Sequence, residues 1–213
     1  MFYLVKAPWL LKKLYPNSIW HINTHEKIIY LTFDDGPHPE ATPFVLQQLK
    51  SFNAKATFFC IGKNVVQYPD DYRKILDDGH KVGNHTFDHL NGWKVSDEEY
   101  LQDVIKAAKF IDSNFFRPPY GRSTKFQNSV LENPGPKKQH QKFKIVMWDV
   151  LSGDFDTKIP DEACALNVIR NSKKGSIVVF HDSEKAFPRL RGALPKVLQF
   201  FYEKGFRFES IPG

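Results

Sequence analysis

The stretch that most restricts the fold is Ile28-Ile29-Tyr30-Leu31-Thr32-Phe33, an almost unbroken apolar run that halts at Asp34-Asp35-Gly36-Pro37. A short run rich in β-branched and aromatic residues, stopped by Gly-Pro, predicts a buried strand cut off at its C-terminal end. Adjacent carboxylates at a strand mouth repel each other, so a cation, an arginine or solvent must accommodate them. An isolated Asp-Asp-Gly is ordinarily a solvated turn. Here several other strands end in the same way, and that repetition sets the ordinary reading aside.

Strand-like and helix-like segments alternate from there on. Residues 42–52 have helical spacing, with Val45, Leu46, Leu49 and Phe52 on one face, and 56–61 form a continuous apolar strand. Residues 65–78 are helical, interrupted by Pro69 and closed by Gly79, and 80–83 form a short strand. Ser96-Asp97-Glu98-Glu99 is a capping box that opens a helix running to about Ser113. Strands follow at 115–116, 144–148, 177–180 and 206–211, with helices at 161–171 and 193–204. Such alternation predicts an α/β fold, a distorted and incomplete (β/α) barrel of about seven parallel strands. Residues 18–23 alternate enough to form a strand, and Thr24-His25-Glu26-Lys27 would fold it back on 28–33 as an N-terminal hairpin. Residues 121–143 break the rhythm: they permit a short helix, then Asn133-Pro134-Gly135-Pro136-Lys137-Lys138 predicts a basic surface loop.

A chain of 213 residues suits one domain with a small appendage, divided here as 1–26 and 27–213. Its apolar content of 41% and charged content of 25% are those of a globular protein able to bury a sizeable core. The net charge of +6 points only weakly to an anionic partner such as nucleic acid or a cell-envelope polymer, because the lysines are scattered along the chain as on a solvated surface; no nucleic-acid partner is expected. No stretch approaches the roughly 20 apolar residues of a membrane span, and no signal peptide of normal form is visible. Trp9-Leu10-Leu11-Lys12-Lys13-Leu14 has the composition of a membrane-surface segment but is expected to pack against the base of the barrel. Cys60 and Cys164 form no disulfide framework, and Cys60 sits in an apolar run as a core thiol.

The residues just past the strand ends are chemically loaded. Asp34 and Asp35 follow the first strand; Asn84, His85 and His89 follow 80–83; Arg117, Pro118, Pro119 and Tyr120 follow 115–116. Asp149, with Asp154 nearby, follows 144–148, and His181 and Asp182 follow 177–180. In an α/β barrel these ends share one face, where such folds keep their chemistry. His85 and His89, expected to face the same way on one helical turn, would form with a carboxylate a three-ligand site with open positions. That donor set suits a catalytic zinc and equally a non-haem iron. A metalloprotease helix would need Glu at position 86, which is Thr.

Taken together, the set resembles the polysaccharide deacetylases of carbohydrate esterase family 4, the nodulation-protein-B homology domain. Its motifs occur in order as Thr32-Phe33-Asp34-Asp35-Gly36-Pro37, His85-Thr86-Phe87-Asp88-His89, Arg117-Pro118-Pro119-Tyr120, Asp149 through Asp154-Phe155, and Val179-Phe180-His181-Asp182. The resemblance implies a metal-dependent hydrolase that removes acetyl groups from N-acetylated amino sugars of a glycan such as peptidoglycan or a chitin-like oligomer. Asp35, His85 and His89 would hold one divalent metal ion, zinc with Co2+, Ni2+ or Mn2+ as alternatives, and Asp34 would be the base that deprotonates its water. His181 would be the acid that protonates the leaving amine, with Asp149 orienting it; Arg117 would orient Asp34. The backbone N–H of Tyr120 would meet the oxyanion, and Pro119 and Phe155 would border the substrate.

Two positions depart from the family pattern. Phe155 stands where Trp is usual, and Phe180 where Leu is usual, adding bulk behind the acid; both predict an individual sugar preference. The rivals are a catalytically retired glycan-binding module and an iron oxygenase. The chain is expected to be monomeric. Its location is open, since an envelope substrate implies export while no export signal is visible.

Overall fold

The protein is described by a computed structural model covering residues 3–134 and 141–213. Residues 135–140, the centre of the expected basic loop, lie outside the described residues. In chain order the elements are α1 (Trp9–Leu14), β1 (Ile28–Asp34), α2 (Ala41–Ser51), β2 (Thr57–Cys60), α3 (Gly62–Gln67), α4 (Pro69–Asp77), β3 (Lys81–Asn84), α5 (Asp97–Ala107) and β4 (Phe115–Phe116). They continue as α6 (Lys125–Glu132), β5 (Lys144–Ile145), β6 (Val150–Leu151), α7 (Asp161–Asn171), β7 (Ile177–His181), α8 (Phe187–Glu203) and β8 (Arg207–Phe208). Among the described residues no helix is long and apolar enough to cross a membrane.

All seven residues of β1 are buried, as its apolar run demands. β1 is central, with strand order β5-β4-β3-β2-β1-β7-β6 and every pairing parallel. β8 pairs in parallel with Ile28 and Ile29, beneath the stretch Thr32–Asp34 that pairs with β2. The curled sheet is the expected incomplete barrel. Alternation along β1 sorts its side chains. Ile29, Leu31 and Phe33 enter the layer beneath the helices, with Phe33 stacked 5.0 Å from Phe58 and 6.2 Å from Phe180. Ile28 and Tyr30 join Phe59, Phe115, Val146 and Ile177 in the barrel interior. Asp34 belongs to this inward series, at the C-terminal mouth. Each large side chain so buried contributes about 1.5–3 kcal/mol. Phe180, aligned with Phe33, spends its bulk on the helix side of the sheet.

The expected N-terminal hairpin does not form. Both edges of β1 are occupied, by β2 and β8 on one side and β7 on the other, so no hydrogen-bonding edge is free for residues 18–23. These residues instead fill the open seam between β5 and β6. Ile19 bridges Val146, His21 bridges Ser176, and upstream Lys6 bridges Val150.

Helix positions hold with local differences. Residues 65–78 divide into α3 and α4 at Tyr68-Pro69, because proline lacks an N–H and disfavours a helical predecessor. The expected strand 144–148 is regular only over β5; the chain then crosses the seam to become β6 on the opposite edge. α8 begins six residues before the expected position 193, its Pro188 falling in the tolerant first turn. Ser96 caps α5 by accepting the Glu99 N–H at 3.2 Å. α1 forms, yet none of its residues is buried, so the expectation that its apolar side chains pack on the base fails.

At the base of the barrel Asp149 accepts Lys12 Nζ at 2.7 Å and Ser176 Oγ at 2.8 Å. Burial raises the Asp149 carboxyl, but these two bonds outweigh it and hold the pKa below its usual value. A depressed carboxylate contributes stability above its unfolded pKa and loses it as pH falls through the folded one. Asp149→Asn is therefore expected to cost about 1–3 kcal/mol at neutral pH. In thermal melts the gap to wild type should shrink as pH drops through the acid range.

Candidate active site

Asp34 ends β1 with 3% exposure and accepts Arg117 Nη1 at 2.6 Å. Arg117 has no exposed surface, and a buried ion pair is tolerable only when its remaining polar groups are bonded. Here Nε reaches the Val146 carbonyl at 3.1 Å, Nη2 the Met147 carbonyl at 3.0 Å, and Nη1 also Thr32 Oγ1 at 2.7 Å. The Phe59 ring lies 4.0 Å from the guanidinium. The Asp34 carboxylate is held in one orientation from below.

Asp35 takes a different course. Its φ of 79° is left-handed, and its carboxylate meets His89 Nε2 at 3.1 Å and His85 Nε2 at 3.6 Å. Asn64 Nδ2 donates to the Asp35 carbonyl at 2.7 Å, and the Gly36 N–H donates to Asp182 at 3.2 Å. A Cβ on Gly36 would lie 2.1 Å from an Asp182 oxygen, so only glycine fits. Asp182 also accepts Thr42 Oγ1 at 2.5 Å. Burial, with Asp35 and Asp34 nearby, pushes the Asp182 carboxyl up to about 8.

The two imidazoles converge without a helical turn. Thr86 and His89 have φ of 63° and 59°, which bends the segment into a loop. Asp103 of α5 accepts the Phe87 and Asp88 N–H groups at 2.8 and 3.0 Å, and Asn84 accepts that of Thr86 at 2.9 Å. Asp103 escaped the sequence reading; the available signal was an acid on the α5 face that carries Tyr100, Val104 and Ala107. Among the described residues, the left-handed non-glycine positions are Asp35, Asn53, Thr86, His89 and Tyr120. All but Asn53 border this site. Strained conformations of order 1–3 kcal/mol each persist where surrounding structure over-determines them.

The donor set fits a divalent cation. Asp35, His85 and His89 offer ligand atoms within 4.8 Å of one another. His85 Nδ1 lies 2.7 Å from the Arg117 carbonyl, which can only accept, so the proton sits there and Nε2 is free to ligate. Burial pushes His85 down to about 4, which keeps it neutral. Burial raises Asp35, but the His89 hydrogen bond and the nearby His181 cation hold it well below the usual range. Ionised carboxylate and neutral imidazole are the forms a metal requires.

Opposite Asp34 in the β1–β7 register stands His181. Its Nδ1 is 2.7 Å from Asp154 Oδ1, and its backbone N–H donates to Asp154 Oδ2 at 2.8 Å. Burial lowers His181, yet Asp154, aided by Asp35 and Asp34, pushes it up to about 9. Asp149, expected here, is elsewhere. Its N–H bonds the carbonyl of Ile177, four residues below His181 on β7, which is roughly 13 Å along a strand. The carboxylate on the histidine is Asp154, already visible in the fourth motif but one turn of chain beyond the residue chosen.

The rim is aromatic. Phe155 meets His181 edge-on at 5.3 Å, and Tyr3 meets Phe155 at 5.0 Å. Pro119 is buried in a 3-10 turn that brings the exposed Tyr120 ring to 4.7 Å from His89. Trp93, exposed and unforeseen, is fixed by its Nε1 on the Ser123 carbonyl at 3.1 Å and by Arg122 over its ring at 5.2 Å.

Residues 21–135 match the polysaccharide deacetylase family. A peptidoglycan-N-acetylglucosamine deacetylase of Bacillus cereus is 36% identical over 193 residues, covering 86% of this chain and 66% of that protein. A second from the same organism is 34% identical over 210 residues and 95% of each chain. The chain thus spans just under two thirds of the first relative and nearly all of the second. A solved peptidoglycan N-acetylglucosamine deacetylase, in complex with 4-naphthalen-1-yl-N-oxidanyl-benzamide, superposes with a TM-score of 0.84 at 31% identity, covering 97% of this chain and 95% of that one. By its motifs, its fold and these relatives, the chain belongs to the polysaccharide deacetylase family.

Proposed function

We propose that this protein removes the N-acetyl group from N-acetylglucosamine units of peptidoglycan. The observation that carries the reading is the convergence of Asp34–Arg117, Asp35–His85–His89 and His181–Asp154 on one barrel mouth. The relatives named for peptidoglycan support the substrate. We assign the catalytic barrel to residues 27–213 and give 1–26 the task of sealing its seam. The site is complete within one chain, which supports a monomer.

Asp35, His85 and His89 would hold the cation, taken to be Zn2+ as the family resemblance implies; when bound, it would acidify a water and polarise the acyl carbonyl. Asp34, held by Arg117, removes the proton of the attacking water. The Tyr120 amide faces the developing oxyanion. An amine leaves only when protonated, and His181, cationic below about 9, delivers that proton from Nε2 while Asp154 holds Nδ1. Tyr120, Phe155 and Trp93 present flat apolar faces to the sugar rings. A retired glycan-binding module would have no need of the buried Arg117–Asp34 pair. An oxygenase would leave His181–Asp154 without a task.

Acetate release from peptidoglycan and from N-acetylglucosamine oligomers, with and without chelator, tests the reading; no release from either after zinc or cobalt reconstitution would overturn it. Asp34→Asn is expected to slow turnover by about 10²–10⁴-fold with metal content unchanged. His85→Ala should lose the metal itself. Because the acid form of His181 exists below about 9, the rate should fall as pH rises through that value. Asp154→Asn removes the main support of the cation, so its alkaline limb should move to lower pH. In Asp149→Asn the limb should stay in place.

A further inference from the structure

Helix α1 is docked by the opposite face from an ordinary surface helix. Amphipathic helices bury their apolar stripe, yet Trp9, Leu10, Leu11 and Leu14 are 65, 55, 40 and 46% exposed. Lys12 is the residue that turns inward, to Asp149. At about 100° per residue, Leu10, Leu14 and Leu11 fall within an arc of about 100° whose centre lies roughly 150° from Lys12. The leucines therefore face away from the protein.

The surroundings of this apolar arc are basic. Lys13 lies 4.6 Å over the Trp9 ring. Lys6 reaches the Asn171 carbonyl at 3.2 Å, at the end of α7, and Lys173 and Lys174 follow in the next turn. Lys174 in turn holds the His25 carbonyl at 3.1 Å. Of the acids nearby, Asp149 is buried on Lys12 and Glu26 pairs with Arg207, while Glu132, bonded only to the neutral Asn17 amide at 3.5 Å, keeps its charge. The patch lies at the base, level with the start of β7, while Asp34 and His181 sit at the other end of the strands.

We propose that α1 and the lysines around it dock on an anionic lipid bilayer surface, leucines at the acyl boundary, and Trp9 with the lysines among the headgroups. Exposed Trp and Leu rimmed by Lys are the composition of an interfacial helix. Charge complementarity selects this occupant. A second copy would bring an identical basic patch against the first and be repelled. An anionic polymer would satisfy the lysines and leave the leucines in water. Bound this way, the protein turns its metal-ligand face away from the bilayer.

The test is co-sedimentation of the full chain with vesicles of phosphatidylglycerol and, separately, of phosphatidylcholine. Wild type should pellet with phosphatidylglycerol vesicles and less so as salt rises. Trp9→Ser/Leu10→Ser should weaken that partition by about tenfold or more. The melting temperature of the variant, and its acetate release from soluble oligomers, should be unchanged; the melt monitors folding even where the deacetylase reading fails. Absence of pelleting with phosphatidylglycerol, or equal pelleting of the variant, overturns the proposal. So does a dilution-dependent dimer by light scattering that the double substitution abolishes without any effect on vesicles, which assigns the patch to a second copy.

Discussion

One buried guanidinium ties together the parts of this site. Arg117 follows β4, bonds Asp34 at the end of β1, and takes the carbonyls of Val146 and Met147 where the chain crosses the barrel seam. Its own carbonyl fixes the tautomer of His85. Asp34, His85 and the barrel closure thus share a single residue with no exposed surface. A charge buried to that degree is tolerated only because each partner is in place, which makes the arrangement all-or-none. Replacement by lysine would supply a charge without the planar fork that spans these acceptors.

The adjacent acids that opened the sequence reading separate through backbone conformation. Asp34 keeps the alternation of β1 and faces inward. Asp35, in a left-handed turn braced by Asn64 and by the Gly36–Asp182 contact, faces the histidines. Their carboxylates turn to different sides, Asp34 to the Arg117 cation and Asp35 to the two imidazoles. Neighbouring acids can face different partners because the strand ends between them.

The two ends of the barrel carry different physics. The mouth holds strained backbone, shifted titrations and exposed aromatic rings. At the base, Asp149, Lys12, Ser176 and His21 lock the N-terminal segment across the seam. Asp149 follows an apolar run just as Asp34 does, and sequence logic assigned it to the mouth. The run ends at a seam crossing instead, and the same residue type serves stability.

Local regularities were legible in the sequence by itself. Strand and helix periods and the Ser96 cap follow from short-range pattern, while the grouping of Asp35 with His85 and His89, and of Asp34 with Arg117, came only with the resemblance of the ordered motifs to a known family. Tertiary structure decided what depends on register and closure. Asp154 rather than Asp149 reaches His181 because β6 pairs with β7 in one register, and nothing within residues 144–154 encodes that offset. Residues 18–23 leave β1 because β2, β7 and β8 consume its edges. Asp103 joins the histidine loop from a helix distant in sequence, and α1 turns its leucines outward because Asp149 draws in Lys12. Periodicity is a property of neighbours along the chain; these four outcomes are competitions between partners far apart in it.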